Sequence, residues 1–446
     1  MSRFIFSLLL LGLFLASLLG LAAPSPELLY DLFSDDLALT SPFHVHRLDP
    51  TGRRIAWLEG GDRLRIFELA SGDRRALPLP ELMRPATDFE WAPDGERIAM
   101  TENAFLYLYE PDIWVVDLTS GTTTNCTNDL AFGSLFDDSV DAWIDLFPTW
   151  RSADILTFVR PIETATDGAA ELRIASIPDG GDLSLRADPN ASHSLWPLPK
   201  GFPNAFRILR PPAWSPDGGR VALITQGPTF GDSINGVWIL DAATGAIEQF
   251  IPTSAFTVGF PTWYDAAGIV PQSVGWIDGG SSLLVFVEDM SATAGWPRMN
   301  LFLVDPWAGG FAAIADYTSY ENRQALFEAG EDGHTGVFEV PLQAQILPEG
   351  AGFLTLHQEI DADREDAAIV ALRRYIVSDG RAFLQDTTTL SAHPRALGSG
   401  ARIASVSGNG AALLLNRYLV RFAPDDLVHG PDETPRGEGL YSNRSR

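Results

Sequence analysis

The sequence is short of several things that would settle its chemistry. It holds one cysteine, Cys126, in 446 residues, so no intramolecular disulfide can form and the core alone must hold the fold. Cys126 sits in a Thr/Asn-rich stretch with no histidine nearby and without the spacing of a cysteine-protease signature, so a nucleophilic thiol is not indicated. Basic residues are scarce, 31 Lys and Arg against 58 Asp and Glu, giving a net charge of −27. Such a balance repels nucleic-acid phosphates and anionic membrane surfaces. It accommodates a cationic ligand, Ca²⁺ or a basic protein, and it also serves simply to keep an exported chain soluble. After the amino terminus no apolar run is long enough to span a bilayer.

What is present begins with a leader. Met1-Ser2-Arg3 is a short basic start, and an apolar run extends from Phe4 to Leu21. Gly20 and Ala22 put small residues at −3 and −1 of a cut before Ala23, the pattern of a secretory signal peptide over residues 1–22. An uncleaved anchor helix is the alternative; the small-residue exit favours cleavage. The mature chain is expected to be secreted, periplasmic or extracellular, with no transmembrane segment.

The rest is organised around a repeated turn. Trp91-Ala-Pro-Asp94-Gly95 runs into Arg97–Met100 and then Ile113–Gly121. Proline presets φ, aspartate bonds its own backbone, and glycine takes a left-handed position, so the stretch reads as a hairpin turn between short strands. Trp214-Ser-Pro-Asp217-Gly218 and Trp276-Ile-Asp278-Gly-Gly280 repeat the pattern. Weaker copies occur at Asp49-Pro-Thr-Gly52, after Trp150, at Leu347-Pro-Glu-Gly350 and at Ser407-Gly-Asn-Gly410. Seven units recur at intervals of roughly 43 to 70 residues, a period of repeat architectures. Short strand pairs with Gly/Pro turns and no helical pattern between them point to an all-β chain of four-stranded blades set around an axis.

The Trp-Ser/Ala-Pro-Asp-Gly…Val-Trp-x-x-Asp-x-x-Thr/Ser-Gly pattern resembles the WD40-like (PD40) repeat of TolB-type β-propellers, which also builds the amino-terminal propeller of prolyl oligopeptidases and dipeptidyl peptidases. The resemblance spans about residues 40–425 and implies a single propeller of seven blades, with six as the alternative count. The expected boundaries are a leader at 1–22, an amino-terminal segment at 23–42 that adds a closing strand, the propeller at 43–426 and a polar tail at 427–446. A peptidase of this kind would need a further α/β domain with Gly-x-Ser-x-Gly, for which there is neither room nor a match.

Functional candidates fall in the insertions. Phe136, Asp137, Asp138, Asp141, Trp143 and Asp145 cluster carboxylates and aromatics in one stretch, suited to Ca²⁺ or another divalent metal but lacking the glycine of a Ca²⁺ loop. Phe-Pro-Thr-Trp occurs at 147–150 and again at 260–263, so Trp263 and Tyr264 are candidate rim aromatics. His44 and His46, two apart on a strand, face the same way and have metal-ligand spacing. Propeller lyases acting on acidic sugars gather histidines around a metal, but they also need basic groups for the substrate carboxylate. The tail after Phe422 is polar and reads as disordered. Two readings therefore stand: an exported non-catalytic propeller that presents its loops to a protein or small ligand, with no cofactor, and a metal-dependent propeller enzyme, lyase or hydrolase, acting on carbohydrate.

Overall fold

The computed structural model describes residues 27–31, 46–59, 62–80, 88–101, 112–127, 145–162, 169–176, 193–196, 207–208, 210–226, 235–260, 268–290, 299–315, 337–347, 350, 352–361, 369–389, 403–406, 412–415 and 418–421. Every paired strand is antiparallel. Sheet 1 contains His46–Leu48, Arg54–Glu59, Arg63–Glu68 and Arg74–Pro78. Sheet 2 contains Asp88–Trp91, Arg97–Thr101, Ile113–Asp117 and Thr123–Asn125. Sheet 3 contains Leu146–Ser152, Ile155–Ile162, Ala169–Ser176 and His193–Trp196. Sheet 4 contains Arg220–Gln226, Gly236–Asp241 and Ile247–Pro252, and its first strand is split into Arg207–Ile208 and Ala213–Trp214. Sheet 5 contains Ile269–Ile277, Ser282–Asp289, Met299–Asp305 and Gly310–Ala313. Sheet 6 contains Val337–Ile346, Gly352–Asp361, Ile369–Ser378 and Arg381–Thr389. Sheet 7 contains Ile403–Val406, Ala412–Leu415 and Tyr418–Arg421, with Glu27–Asp31 as its outer strand.

Each sheet packs on the next. Ala56, Ile66, Phe89 and Trp91 join sheets 1 and 2, while Val115, Trp150 and Phe158 join sheets 2 and 3. Ile239, Trp276 and Phe302 join sheets 4 and 5, and Leu303, Phe353 and Tyr375 join sheets 5 and 6. The first strand of sheet 7 touches those of sheet 6 and sheet 1. The chain is a β-propeller. Burying both faces of each sheet against its neighbours is what makes such thin layers stable.

Val337–Val340 opens the ten-residue first strand of sheet 6. The four-strand pattern is interrupted in sheet 4, where Pro211 and Pro212 cannot donate to a ladder and leave two short pieces in place of one strand.

The repeat turns use one chemistry with different atoms. In sheet 1 the fully buried Asp49 carboxylate accepts from the backbone N–H of Arg53 (2.8 Å) and Arg54 (3.0 Å). In sheet 4 the Ser215 hydroxyl takes that place, accepting from the Arg220 N–H at 2.9 Å and donating to Asp217 at 2.6 Å. The Ser215 hydrogen bond, followed by that from the Gly219 N–H, lowers the pKa of Asp217. The Thr244 hydroxyl and N–H do the same for Asp241 across the sheet's other turn. Both folded values lie below the unfolded ones, so this contribution is present above the ordinary carboxylate pKa and is lost as pH falls through the folded values. Asp217→Asn and Asp241→Asn are therefore expected to flatten the acid limb of a pH–stability curve from urea melts at pH 2 to 5.

Cys126 is buried among Val115, Trp150 and Phe158. Desolvation pushes its thiol up to about 12. It is expected to ignore a disulfide reagent in the native protein and to react stoichiometrically once urea unfolds the chain.

Candidate functional site

The turns that join first to second strands and third to fourth strands share one end of the propeller, and there neighbouring sheets are stapled by arginine. Arg54 of sheet 1 donates to the Gly95 carbonyl of sheet 2 (2.7 Å), pairs with Glu96 (3.1 Å), and lies 5.6 Å from the Trp91 ring. Arg97 of sheet 2 pairs with Asp154 of sheet 3 (3.1 Å) and lies 5.8 Å from the Trp150 ring. Sheet 3 has a two-residue turn, and Arg151 on its first strand takes over, donating to the Gly218 carbonyl (2.8 Å) over the Trp214 ring at 4.8 Å. The tryptophans bond back to the preceding sheet: the Trp91 indole N–H to the Arg47 carbonyl, Trp150 to Glu90, Trp276 to Ala213. Burial works against the Arg54 charge, but Asp49 and then Glu96 outweigh it and leave its pKa raised. Gly95 must be glycine, since its φ is +73° and a Cβ there would lie 3.0 Å from the Arg54 Nη2.

Among the described residues no such staple joins sheets 5 and 6, and a groove of about 500 Å³ opens at that junction. Its lining comes from three turns: Asp278, Ser281 and Ser282; Asp305, Trp307 and Ala308; and Asp379 and Gly380. Asp278 and Asp379 both adopt φ of 53°, a left-handed conformation that aspartate tolerates better than most side chains. Asp305 Oδ1 accepts from the N–H of Trp307 and of Ala308, each at 2.9 Å, which fixes its turn. None of the three carboxylates forms an ion pair among the described residues. Trp307 is 43% exposed, although Arg220 of sheet 4 lies 4.8 Å from its ring.

The candidates read from the sequence fare differently. His44, Phe136, Asp137, Asp138, Asp141, Trp143, Trp263 and Tyr264 lie outside the described residues. So do the leader, the tail and the 128–144 connection between sheets 2 and 3. His46 starts the first strand of sheet 1, opposite Trp57. Asp145 is fully buried, unlike a solvated loop carboxylate. The turn residues Gly52, Asp94, Gly218 and Gly280 stand in turns as their type requires, and Trp91, Trp150 and Trp276 are buried packing between sheets. The Asp278 turn was singled out only as a repeat marker; its role in the groove depends on partners 27 and 101 residues further along. Among the described residues no group of three or more His, Cys, Asp or Glu side chains is arranged to hold a metal ion. Among them, too, no helix is long and apolar enough to cross a membrane.

No family model matches the chain, and no curated protein matches its sequence. Solved structures resemble it. An oligogalacturonate lyase in complex with manganese has a TM-score of 0.49 at 11% identity, covering 90% of this chain and 97% of the lyase. The oligogalacturonate lyase of Vibrio parahaemolyticus gives 0.49 at 11%, covering 89% and 96%. TolB of Acinetobacter baumannii gives 0.37 at 12%, covering 76% and 67%. At these levels no residue role and no activity passes from them to this chain.

Proposed function

We propose that this protein is an exported, seven-bladed propeller that binds a partner without transforming it. The observation that carries the reading is the junction of sheets 5 and 6, an open groove with an exposed tryptophan and three carboxylates that form no ion pair among the described residues. Open grooves with an aromatic wall and a few polar groups on rigid turns are built for recognition. The net charge of −27 extends the same preference for a cationic partner over the whole molecule. Export rests on the leader, and the mature protein recovered from the envelope or medium should begin at Ala23 by mass spectrometry.

The competing reading, a metal-dependent enzyme acting on carbohydrate, rests on His44, His46 and the Asp137–Asp145 stretch. Elemental analysis of the mature protein, paired with melting with and without EDTA, separates the two. The binding reading expects no stoichiometric metal and an unchanged melt. A bound metal whose removal lowers the melting temperature overturns it.

A further inference from the structure

Each sheet of the ring ends in one outer strand, and an open strand edge invites another strand unless shortness, charge or proline guards it. Six of the seven outer strands are guarded. Thr123–Asn125 has three residues, His193–Trp196 and Gly310–Ala313 have four, and Glu27–Asp31 has five with an acid at each end. Arg74–Pro78 carries two arginines and a proline, and Ile247–Pro252 a glutamate and a proline. Sheet 6 is the exception. Its outer strand, Arg381–Thr389, has nine residues with no proline and no lysine, and no described strand pairs with its far side. Between Arg381 and Asp386 stand only Ala382, Phe383, Leu384 and Gln385.

Apolar side chains come to the surface at the same edge. Of the seven large ones exposed among the described residues, Phe383 and Leu384 stand on this strand, and Ile376 is the residue directly opposite Phe383. Tyr375, opposite Leu384, packs against Leu303 of sheet 5, so Phe383 and Ile376 share the face turned away from sheet 5. One guard is present. A bulge leaves Gln385 as an extra residue between Leu384 and Asp386, so a regular ladder for a visiting strand extends only from Arg381 to Gln385. Charge distinguishes the place as well: from Ile369 to Thr389 there are three arginines against two aspartates, in a chain of net charge −27.

We propose that this edge pairs with the same edge of a second copy of the chain, antiparallel about a two-fold axis at Phe383. A two-fold strand contact sets one residue opposite its own copy, and Phe383 is the middle of the Arg381–Gln385 stretch. The stretch suits itself in that register. Phe383 meets Phe383 of the second copy, and Ile376 flanks the pair on both sides, giving a row of four apolar side chains across the joined sheet. Ala382 meets Leu384 twice, small against large, and Arg381 meets Gln385 twice, so no like charges stand opposite each other. Five residues a side make a small contact, and the dissociation constant is expected on the order of 10 to 100 µM. Salt screens the long-range repulsion between two chains of −27 and spares the backbone and apolar contacts, so association tightens as salt rises.

Sedimentation velocity of the mature protein, carried up to about 500 µM, should show a monomer–dimer equilibrium that strengthens with salt. Phe383→Lys should weaken it by roughly tenfold or more, because two ammonium groups then stand opposite each other. Ile247→Lys, the same change at an exposed position on the outer strand of sheet 4, should leave the dimer as it was. Both variants should melt as the wild type does. A second readout needs no loss of association: a short bis-maleimide should join two copies of the Phe383→Cys variant and not of the Ile247→Cys variant, Cys126 being buried. A monomer at every concentration, a dimer indifferent to Phe383→Lys, an equal loss in Ile247→Lys, or no cross-linking of the Phe383→Cys variant overturns the proposal. Association that weakens as salt rises overturns it too, since charged surfaces would then hold the copies together.

Discussion

Deleting residues 27–31 is expected to replace one sharp melt with a broad transition and time-dependent aggregation. Glu27–Asp31 pairs with Tyr418–Arg421, so the outer strand of the last sheet comes from the beginning of the chain. Its removal leaves the Tyr418–Arg421 strand as an open edge, the arrangement that recruits strands from other molecules. It also unties the ends of a ring whose last sheet touches the first. Calorimetry and size-exclusion chromatography would check this. A monomer with an undiminished, sharp melt would mean that side-chain packing alone closes the ring.

The second large effect concerns Arg54. The Asp49 carboxylate beneath it is fully buried and 3.3 Å from the Arg54 Nε. Arg54→Met leaves that charge without its cation, a loss of about 3 kcal/mol or more for a buried pair broken on one side. The loss of the contact with Trp91 adds about 1 kcal/mol. Arg54→Met/Asp49→Asn should recover much of the deficit, because the amide still accepts from the turn N–H groups and carries no charge. Urea melts of the two variants provide the measure. A double variant no more stable than the single one would show that packing over Trp91, and not the charge, dominates.

Such turns were legible in the sequence because their chemistry is local. Pro-Asp-Gly in Asp94–Gly95 dictates backbone angles by itself, and the tryptophan before it announces an apolar contact. The strand at Glu27–Asp31 was legible as a short apolar stretch outside the repeats. The groove was not. Its carboxylates belong to three turns that are individually ordinary, and only the packing of sheet 5 on sheet 6 brings them to one groove. That juxtaposition shows only once the sheets are assembled. The Asp137–Asp141 cluster is the converse case, conspicuous in the sequence and lying outside the described residues.

The staples also have a direction. In Arg54–Trp91, Arg97–Trp150, Arg151–Trp214 and Arg220–Trp307 the cation is always the earlier residue and the aromatic ring the later one. A chain leaving a ribosome or a translocon delivers its amino-terminal end first. At these four seams the sheet already formed waits with a guanidinium at its open side, and the ring arrives only with the sheet that will cover it. None of these four contacts can therefore form before the later sheet has been made.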